Sequence, residues 1–147
     1  MQVKQLASMT GVPAHVIRYY TQIGLLTPER DPKNRYREYA NSDINRVRFI
    51  RRAKWLGFTL RDVRSILSDV DGGVSPCPKV RRLIEHRSRE NRSRLNEYIR
   101  LQSRVEKAIQ LWETLPDQPP DHDSLCHLVE SVAAVAETDS DTINGME

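Results

Sequence analysis

The chain has 147 residues, 29% of them charged and only 6% aromatic, and this composition admits one modest domain, or a small domain with an oligomerisation element, and excludes one large core. No apolar run approaches the roughly 20 residues needed to cross a bilayer and no secretory signal is present, so a cytoplasmic protein with no membrane partner is expected, its two cysteines being thiols. The net charge of +3 conceals a division: nine carboxylates and no Lys or Arg follow residue 110, so residues 1–110 hold 23 basic against 11 acidic groups, or +12, a field that favours a polyanionic partner in a salt-dependent way.

Val3, Leu6, Ala7 and Met9 predict a first helix ended by Gly11, and Pro13 is pre-set for the first turn of a second. In that second helix Val16, Ile17, Tyr20 and Ile23 recur at steps of three and four, while His15, Arg18 and Tyr19 project from other faces. Two helices joined by Thr10-Gly11-Val12 form a helix-turn-helix. Its second member would lie in the major groove, offering His15 and Arg18 to base edges or phosphates and Tyr19 to the backbone; Tyr20 fits either a backbone contact or the core. The turn cluster Asp31-Pro32-Lys33-Asn34, followed by Arg35, Tyr36, Arg37 and Tyr39, predicts a basic, aromatic hairpin beside it.

Asn41 or Ser42 is expected to cap a third helix with Ile44, Val47, Phe49, Ile50, Ala53 and Leu56 on its buried side, and Gly57 to end it. Thr59 with Asp62 makes a capping-box-like start for a fourth helix bearing Leu60, Val63, Ile66 and Leu67. Trp55 and Phe58 are read as packing residues. After the linker at Asp71-Gly72-Gly73, a long helix runs from Cys77 or Pro78 to about Leu115, with no glycine inside it. Its positions Ile84, Leu95, Tyr98, Val105, Ile109 and Trp112, with Ser88, Asn91 and Gln102 filling the gaps, form one seam that needs a partner helix. Cys77 stands at its start, where backbone amides and the helix dipole favour negative charge. A polar, proline-rich loop follows the helix, and then a short helix near Cys126-His127.

Three stretches in order, IRYYTQIGLL, RYREY and SDINRVRFIRRAKWLGFTLRDVRSIL, resemble the DNA-binding domain of the MerR family of bacterial transcription regulators over about the first seventy residues. The resemblance implies a mainly α fold: a winged helix-turn-helix DNA-binding domain (1–70), a linker (71–77), a long dimerisation helix forming an antiparallel coiled coil (78–115), an effector-binding loop with a short helix (116–136) and a disordered tail (137–147). It implies His15, Arg18, Tyr19, Tyr20, Arg35, Tyr36 and Arg37 as DNA-binding residues, a homodimer on double-stranded promoter DNA, and activation by distorting that DNA for RNA polymerase rather than by enzymatic chemistry. The chain departs from the family at Thr21, usually acidic, at Pro13, usually Ser or Thr, and at Arg35, usually Gly. A positive φ suits Gly better than Arg, so Asn34 is expected to take the left-handed conformation of the wing turn.

In metal-sensing members of the family a cysteine before the dimerisation helix of one subunit combines with cysteines in the loop after that helix in the other. Cys77 and Cys126 match two such positions, but Pro116, Asp117 and Gln118 stand where a further loop cysteine is usual. The resemblance therefore implies a divalent metal held by Cys77, Cys126 and His122, with Asp117, Asp121, Asp123 or His127 as other donors. Zn(II), which normally takes four ligands, is favoured over Cd(II), Pb(II) and Hg(II). A thiol-based redox or electrophile response on the same fold is the alternative. A metallohydrolase lacks its helix motif here, and a drug sensor lacks a large C-terminal domain.

Overall fold

A computed structural model describes residues 1–132; the tail at 137–147 and the last residues of the 116–136 segment lie outside the described residues. The elements are α1 (Val3–Thr10), α2 (Ala14–Gln22), β1 (Glu29–Arg30), β2 (Arg37–Glu38), α3 (Ser42–Trp55), α4 (Leu60–Asp71), α5 (Cys77–Trp112) and α6 (His127–Glu130). The chain is mainly α, and β1 and β2 pair antiparallel in a two-stranded wing. No described helix is long and apolar enough to cross a membrane.

Local contacts set several of the helix ends. Gly11 adopts φ 71° and sends its N–H to the Ala7 carbonyl, the left-handed ending that glycine makes inexpensive. At the start of α4, Thr59 Oγ1 accepts from the Asp62 amide (3.0 Å) and Asp62 Oδ2 from the Thr59 amide (3.1 Å), the reciprocal capping box that the sequence predicts. The start of α3 differs from expectation. Neither Asn41 nor Ser42 caps it by side chain; Asp43 Oδ2 instead accepts the Ala40 amide at 3.0 Å.

The described residues fall into two compact units that divide after Arg87. In the first, the spacing of Leu6, Ile17, Val47, Ile50, Val63 and Ile66 along α1 to α4 turns each into a common core, with Leu25 and Leu26 sealing it from the α2–β1 loop. Complete burial of such a side chain contributes about 1.5–3 kcal/mol, which is why four helices too short to persist alone hold together. Phe58 joins this core, but Trp55 does not: it is 85% exposed, and Leu56, expected on the buried side of α3, is 55% exposed. The cause lies in the turn that follows. Gly57 takes φ 97° and the chain reverses, the Phe58 amide bonding the Ala53 carbonyl, so Phe58 fills the place at the end of α3.

Polar contacts brace the same unit. Arg46 donates through Nε to the Leu25 carbonyl (2.8 Å) and through both terminal nitrogens to Asp71 (2.7 and 3.1 Å), tying α3 to the end of α4. The bonded guanidinium holds the Asp71 carboxyl below its ordinary value. A lowered folded-state value means the pair is stabilising at neutral pH and is lost as pH falls through that value; Asp71 is well exposed, so the contribution is about 0–1 kcal/mol. The first turns of α5 also belong here. Val80, Leu83 and Ile84 pack on the core, Lys79 bonds Asp69 (3.0 Å) and the Ser65 carbonyl, and Arg87 Nε pairs with the buried Asp62 at 2.9 Å. Ile84 is thus a core residue of the first unit rather than only the first seam position.

In the second unit α5 ends at Trp112, three residues before the expected boundary, and leaves Leu95, Tyr98, Ile99, Val105 and Ile109 more than 40% exposed. Trp112 is withdrawn from that set: its Nε1 donates to the Leu128 carbonyl (2.8 Å) and to Ser131 Oγ (3.2 Å), pinning α6 to the end of α5.

Candidate nucleic-acid interface and metal centre

Burial of Ile17 and Tyr20 decides which side of α2 faces outward. His15, Arg18 and Tyr19 are exposed on it, as the sequence predicts, and the Tyr19 ring lies tilted 6.4 Å from that of Tyr20. Tyr20 itself is 4% exposed and belongs to the core, so it leaves the set of outward-facing candidates. Three residues after Ile17 on a helix whose apolar stripe is buried, it has no other face to turn to.

The wing is fixed at its base and strained at its tip. Tyr39 exchanges backbone hydrogen bonds with Met1 (2.7 and 2.8 Å), and its hydroxyl shares a 2.7 Å bond with Thr21 Oγ1 on α2. Thr21, where the resemblance leads one to expect an acidic residue, is therefore a neutral link between helix and wing. The register sets Glu29 opposite Glu38 and Arg30 opposite Arg37, like charges that oppose pairing. Two contacts offset this: Glu38 pairs with the N-terminal ammonium (3.0 Å), and Arg30 donates to the Arg35 carbonyl (3.0 Å).

At the tip Arg35, not Asn34, takes the left-handed conformation, with φ 61°. Asn34 Oδ1 is occupied in accepting the Tyr36 amide (2.9 Å), and Asp31 Oδ1 accepts that of Lys33 (2.7 Å), so the turn's side-chain acceptors have already set where the chain must reverse. An arginine there costs about 1–2 kcal/mol that glycine would not. The Arg35→Gly protein is therefore expected to be as thermally stable as the parent or slightly more so, after glycine's own unfolded-state cost of roughly 0.4–1 kcal/mol. Its affinity for DNA should nonetheless fall. Thermal unfolding together with fluorescence anisotropy on operator DNA checks the opposite signs.

Between α1, α2 and the wing lies an open concavity of about 580 Å³, lined by Lys4, Arg18, Arg30, Arg35, Tyr36 and Arg37 among others. None of these five cations is in an ion pair among the described residues. Unpaired cations with an exposed tyrosine on one concave surface suit a run of phosphates, which neutralise the mutual repulsion and accept the hydroxyl hydrogen bond. Lys4 and Arg30 are absent from the set read from sequence. Arg30 carried a signal, as the basic residue directly across the ladder from Arg37; Lys4 carried none beyond its place on the polar face of α1.

The loop after α5 is tied to α6 by local bonds. Asp121 Oδ1 accepts the amides of Asp123 (2.8 Å) and Ser124 (2.9 Å), closing a turn around His122. Glu130 reaches back from α6: Oε2 accepts Ser124 Oγ (2.9 Å), and Oε1 accepts the amides of Leu125 (2.7 Å) and Cys126 (3.2 Å). These donors hold the exposed Glu130 carboxyl below its ordinary value, the Ser124 hydroxyl most of all. His127 Nε2 lies 2.7 Å from the Pro116 carbonyl, which can only accept, so Nε2 is the donor.

Cys77, first residue of α5, and Cys126, directly before α6, are both free and exposed, while His122 makes no hydrogen bond or ion pair among the described residues. These are the donors a soft or borderline divalent ion takes. Among the described residues no three His, Cys, Asp or Glu gather closely enough to hold a metal.

A MerR HTH family regulatory protein model matches residues 1–70, and a MerR DNA-binding model matches residues 44–108. The HTH-type transcriptional regulator HmrR of Rhizobium leguminosarum bv. viciae is 30% identical over 109 residues, 74% of this chain and 84% of that protein. The chain belongs to the MerR family. Members of this family are transcription regulators, not enzymes, and the two matched models together span residues 1–108 of this MerR-family chain. The mercuric resistance operon regulatory protein of Bacillus cereus is 39% identical over 77 residues, 52% of this chain and 58% of that protein. Among solved structures, the regulator PbrR691 of Ralstonia metallidurans CH34 in complex with lead(II) superposes with a TM-score of 0.71 at 20% identity, over 90% of this chain and 98% of that one, a likeness of fold.

Proposed function

We propose that this MerR-family protein is a dimeric, metal-responsive regulator that binds promoter DNA through α2 and the wing, takes up a divalent ion, and activates transcription by distorting the promoter for RNA polymerase. The DNA-facing set is His15, Arg18, Tyr19, Arg35, Tyr36 and Arg37, joined by Lys4 and Arg30. The metal site is Cys77 of one subunit with Cys126 of the partner subunit and His122 as third donor, and Zn(II) is favoured, with Cd(II), Pb(II) and Hg(II) as other candidates. The observation that carries the reading is the pair of free, exposed thiols, one at the first residue of α5 and one directly before α6. Relatives point the same way: a mercuric resistance regulator is similar in sequence, and a lead(II)-bound regulator is similar in fold.

The exposed seam of α5, with Leu95, Tyr98, Val105 and Ile109 at steps of three, seven and four, supplies the dimer contact. An antiparallel pairing of two such helices brings the start of one beside the end of the other. The 36 residues of α5, at about 1.5 Å each, make a helix roughly 54 Å long. The dimer should be obligate, and sedimentation at micromolar concentration should give one species of twice the chain mass; a stable folded monomer would contradict it. When bound, the ion supplies a cross-link between subunits. The chain's own part is to orient the donors, shed their protons and pass the resulting constraint to the DNA-binding units, whose contacts repay the energy of bending the duplex.

Because both thiols are free and exposed, a redox response is the second reading. Native mass spectrometry of the reduced dimer with Zn(II), Cd(II), Pb(II) and Hg(II) in turn separates the two. The proposal expects two ions per dimer, lost on thiol alkylation. Mass shifts with peroxide and no stoichiometric metal would favour the redox switch instead.

A further inference from the structure

Glu130 lies outside every ligand set considered above, yet both of its carboxylate oxygens are engaged toward the loop. Three donors from consecutive residues, Ser124 Oγ, the Leu125 amide and the Cys126 amide, converge on it at 2.7–3.2 Å. Residues 126 and 130 are joined in both directions, since the Glu130 amide also donates to the Cys126 carbonyl at 3.1 Å. Ser124 in turn closes the Asp121 turn, its carbonyl accepting the Asp121 amide at 2.9 Å and its amide donating to Asp121 Oδ1. His122 sits inside that turn. One carboxylate therefore holds the backbone that presents Cys126 and, through Ser124, the turn that presents His122.

We propose that Glu130 is the positioning residue of the metal site, fixing Cys126 and the His122 turn in one arrangement before the ion arrives without itself being a ligand. This rests on the metal-sensing reading above. Preorganisation is the physical argument: a donor on an irregular, exposed loop must be ordered at a cost in free energy when it binds, and here that ordering is already supplied by charge-assisted bonds to one acceptor. Three of the roughly four acceptor sites of this carboxylate are already taken by loop donors, so it is committed to the loop rather than presented to a cation. Its role is also separable from the folding of the loop ends. Trp112 with Leu128, and His127 with Pro116, keep α6 and the loop attached without it.

Outer partners of metal ligands typically change affinity by about 10–100-fold when removed, and Glu130→Ala is expected to fall in that range. Glu130→Gln should stay close to the parent protein: its amide oxygen still accepts the two backbone N–H groups, and its NH₂ donates to Ser124 Oγ, which can accept. The test is Zn(II) competition against a chromophoric chelator on the full-length reduced dimers, with iodoacetamide labelling of the metal-free proteins read peptide by peptide. Glu130→Ala should weaken zinc binding and speed labelling of Cys126 while leaving Cys77 labelling unchanged, and Glu130→Gln should do neither. Parent-like zinc affinity in Glu130→Ala, or equal losses in Glu130→Gln and Glu130→Ala, would overturn the proposal, the latter pointing to charge or direct ligation. If the parent protein takes up neither Zn(II) nor, in the same competition, Cd(II), Pb(II) or Hg(II), the sensing reading fails, while the Cys126 labelling rates still decide whether Glu130 fixes that cysteine.

Discussion

Cys77→Ser and Cys126→Ser are each expected to abolish metal-dependent transcription while leaving the dimer and its affinity for operator DNA intact. Neither cysteine lines the basic concavity, and neither is among the seam residues Leu95, Tyr98, Val105 and Ile109, so neither change removes those side chains from DNA or dimer contacts. A serine hydroxyl is close to the thiol in size but is a poor, hard ligand that does not ionise near neutral pH, and losing one of two thiolates removes the donors with most affinity for a soft or borderline ion. Binding to the parent protein should release protons and so tighten as pH rises, a dependence that should be blunted in each variant. In vitro transcription with added metal, alongside gel shifts, checks both halves. His122→Ala should weaken the response or change which metal elicits it. Both serine proteins responding as the parent does would place the sensor elsewhere.

Loss of DNA affinity in Arg18→Ala and Arg37→Ala is the other large effect expected. Each arginine is on the concave basic surface, is free of ion pairs among the described residues, and comes from a different element, α2 for Arg18 and β2 for Arg37. Removal of a base contact should cost about 1–3 kcal/mol and relax specificity at one position; removal of a phosphate contact should weaken all sequences alike and lower the salt slope by about 1. Titrations on operator and unrelated duplexes at several salt concentrations tell these apart. Unchanged affinity in both proteins would refute the interface.

What the sequence disclosed followed from periodicity and punctuation. The apolar steps of α1, α2 and α4, the glycines after α1 and α3, and the Thr59–Asp62 box each encode a local rule that the surrounding packing does not override. Trp55 and Leu56 were misread because apolar spacing cannot tell a face buried in its own unit from one left outside, and a chain reversal at Gly57 gave the core place to Phe58. Ile84 shows the same limit from the other side, since a position at seam spacing packs on the first unit. Arg35 was misassigned because conformational preference favoured Asn34, whose side chain was already committed to the Tyr36 amide. The clasp formed by Glu130 had no periodic signature at all: it joins a side chain to backbone amides four and five residues away in an irregular loop, and only the spacing of a glutamate behind a short helix start resembled a cap.

The most direct test of the cross-subunit site is a mixed dimer, one chain carrying Cys77→Ser and the other Cys126→Ser, purified through two different tags and weighed with Zn(II) by native mass spectrometry. A site built from Cys77 of one subunit and Cys126 of the partner subunit leaves one intact site in that dimer and none in either variant homodimer. One zinc per mixed dimer is the predicted result; a mixed dimer that binds no more zinc than the two homodimers would contradict it.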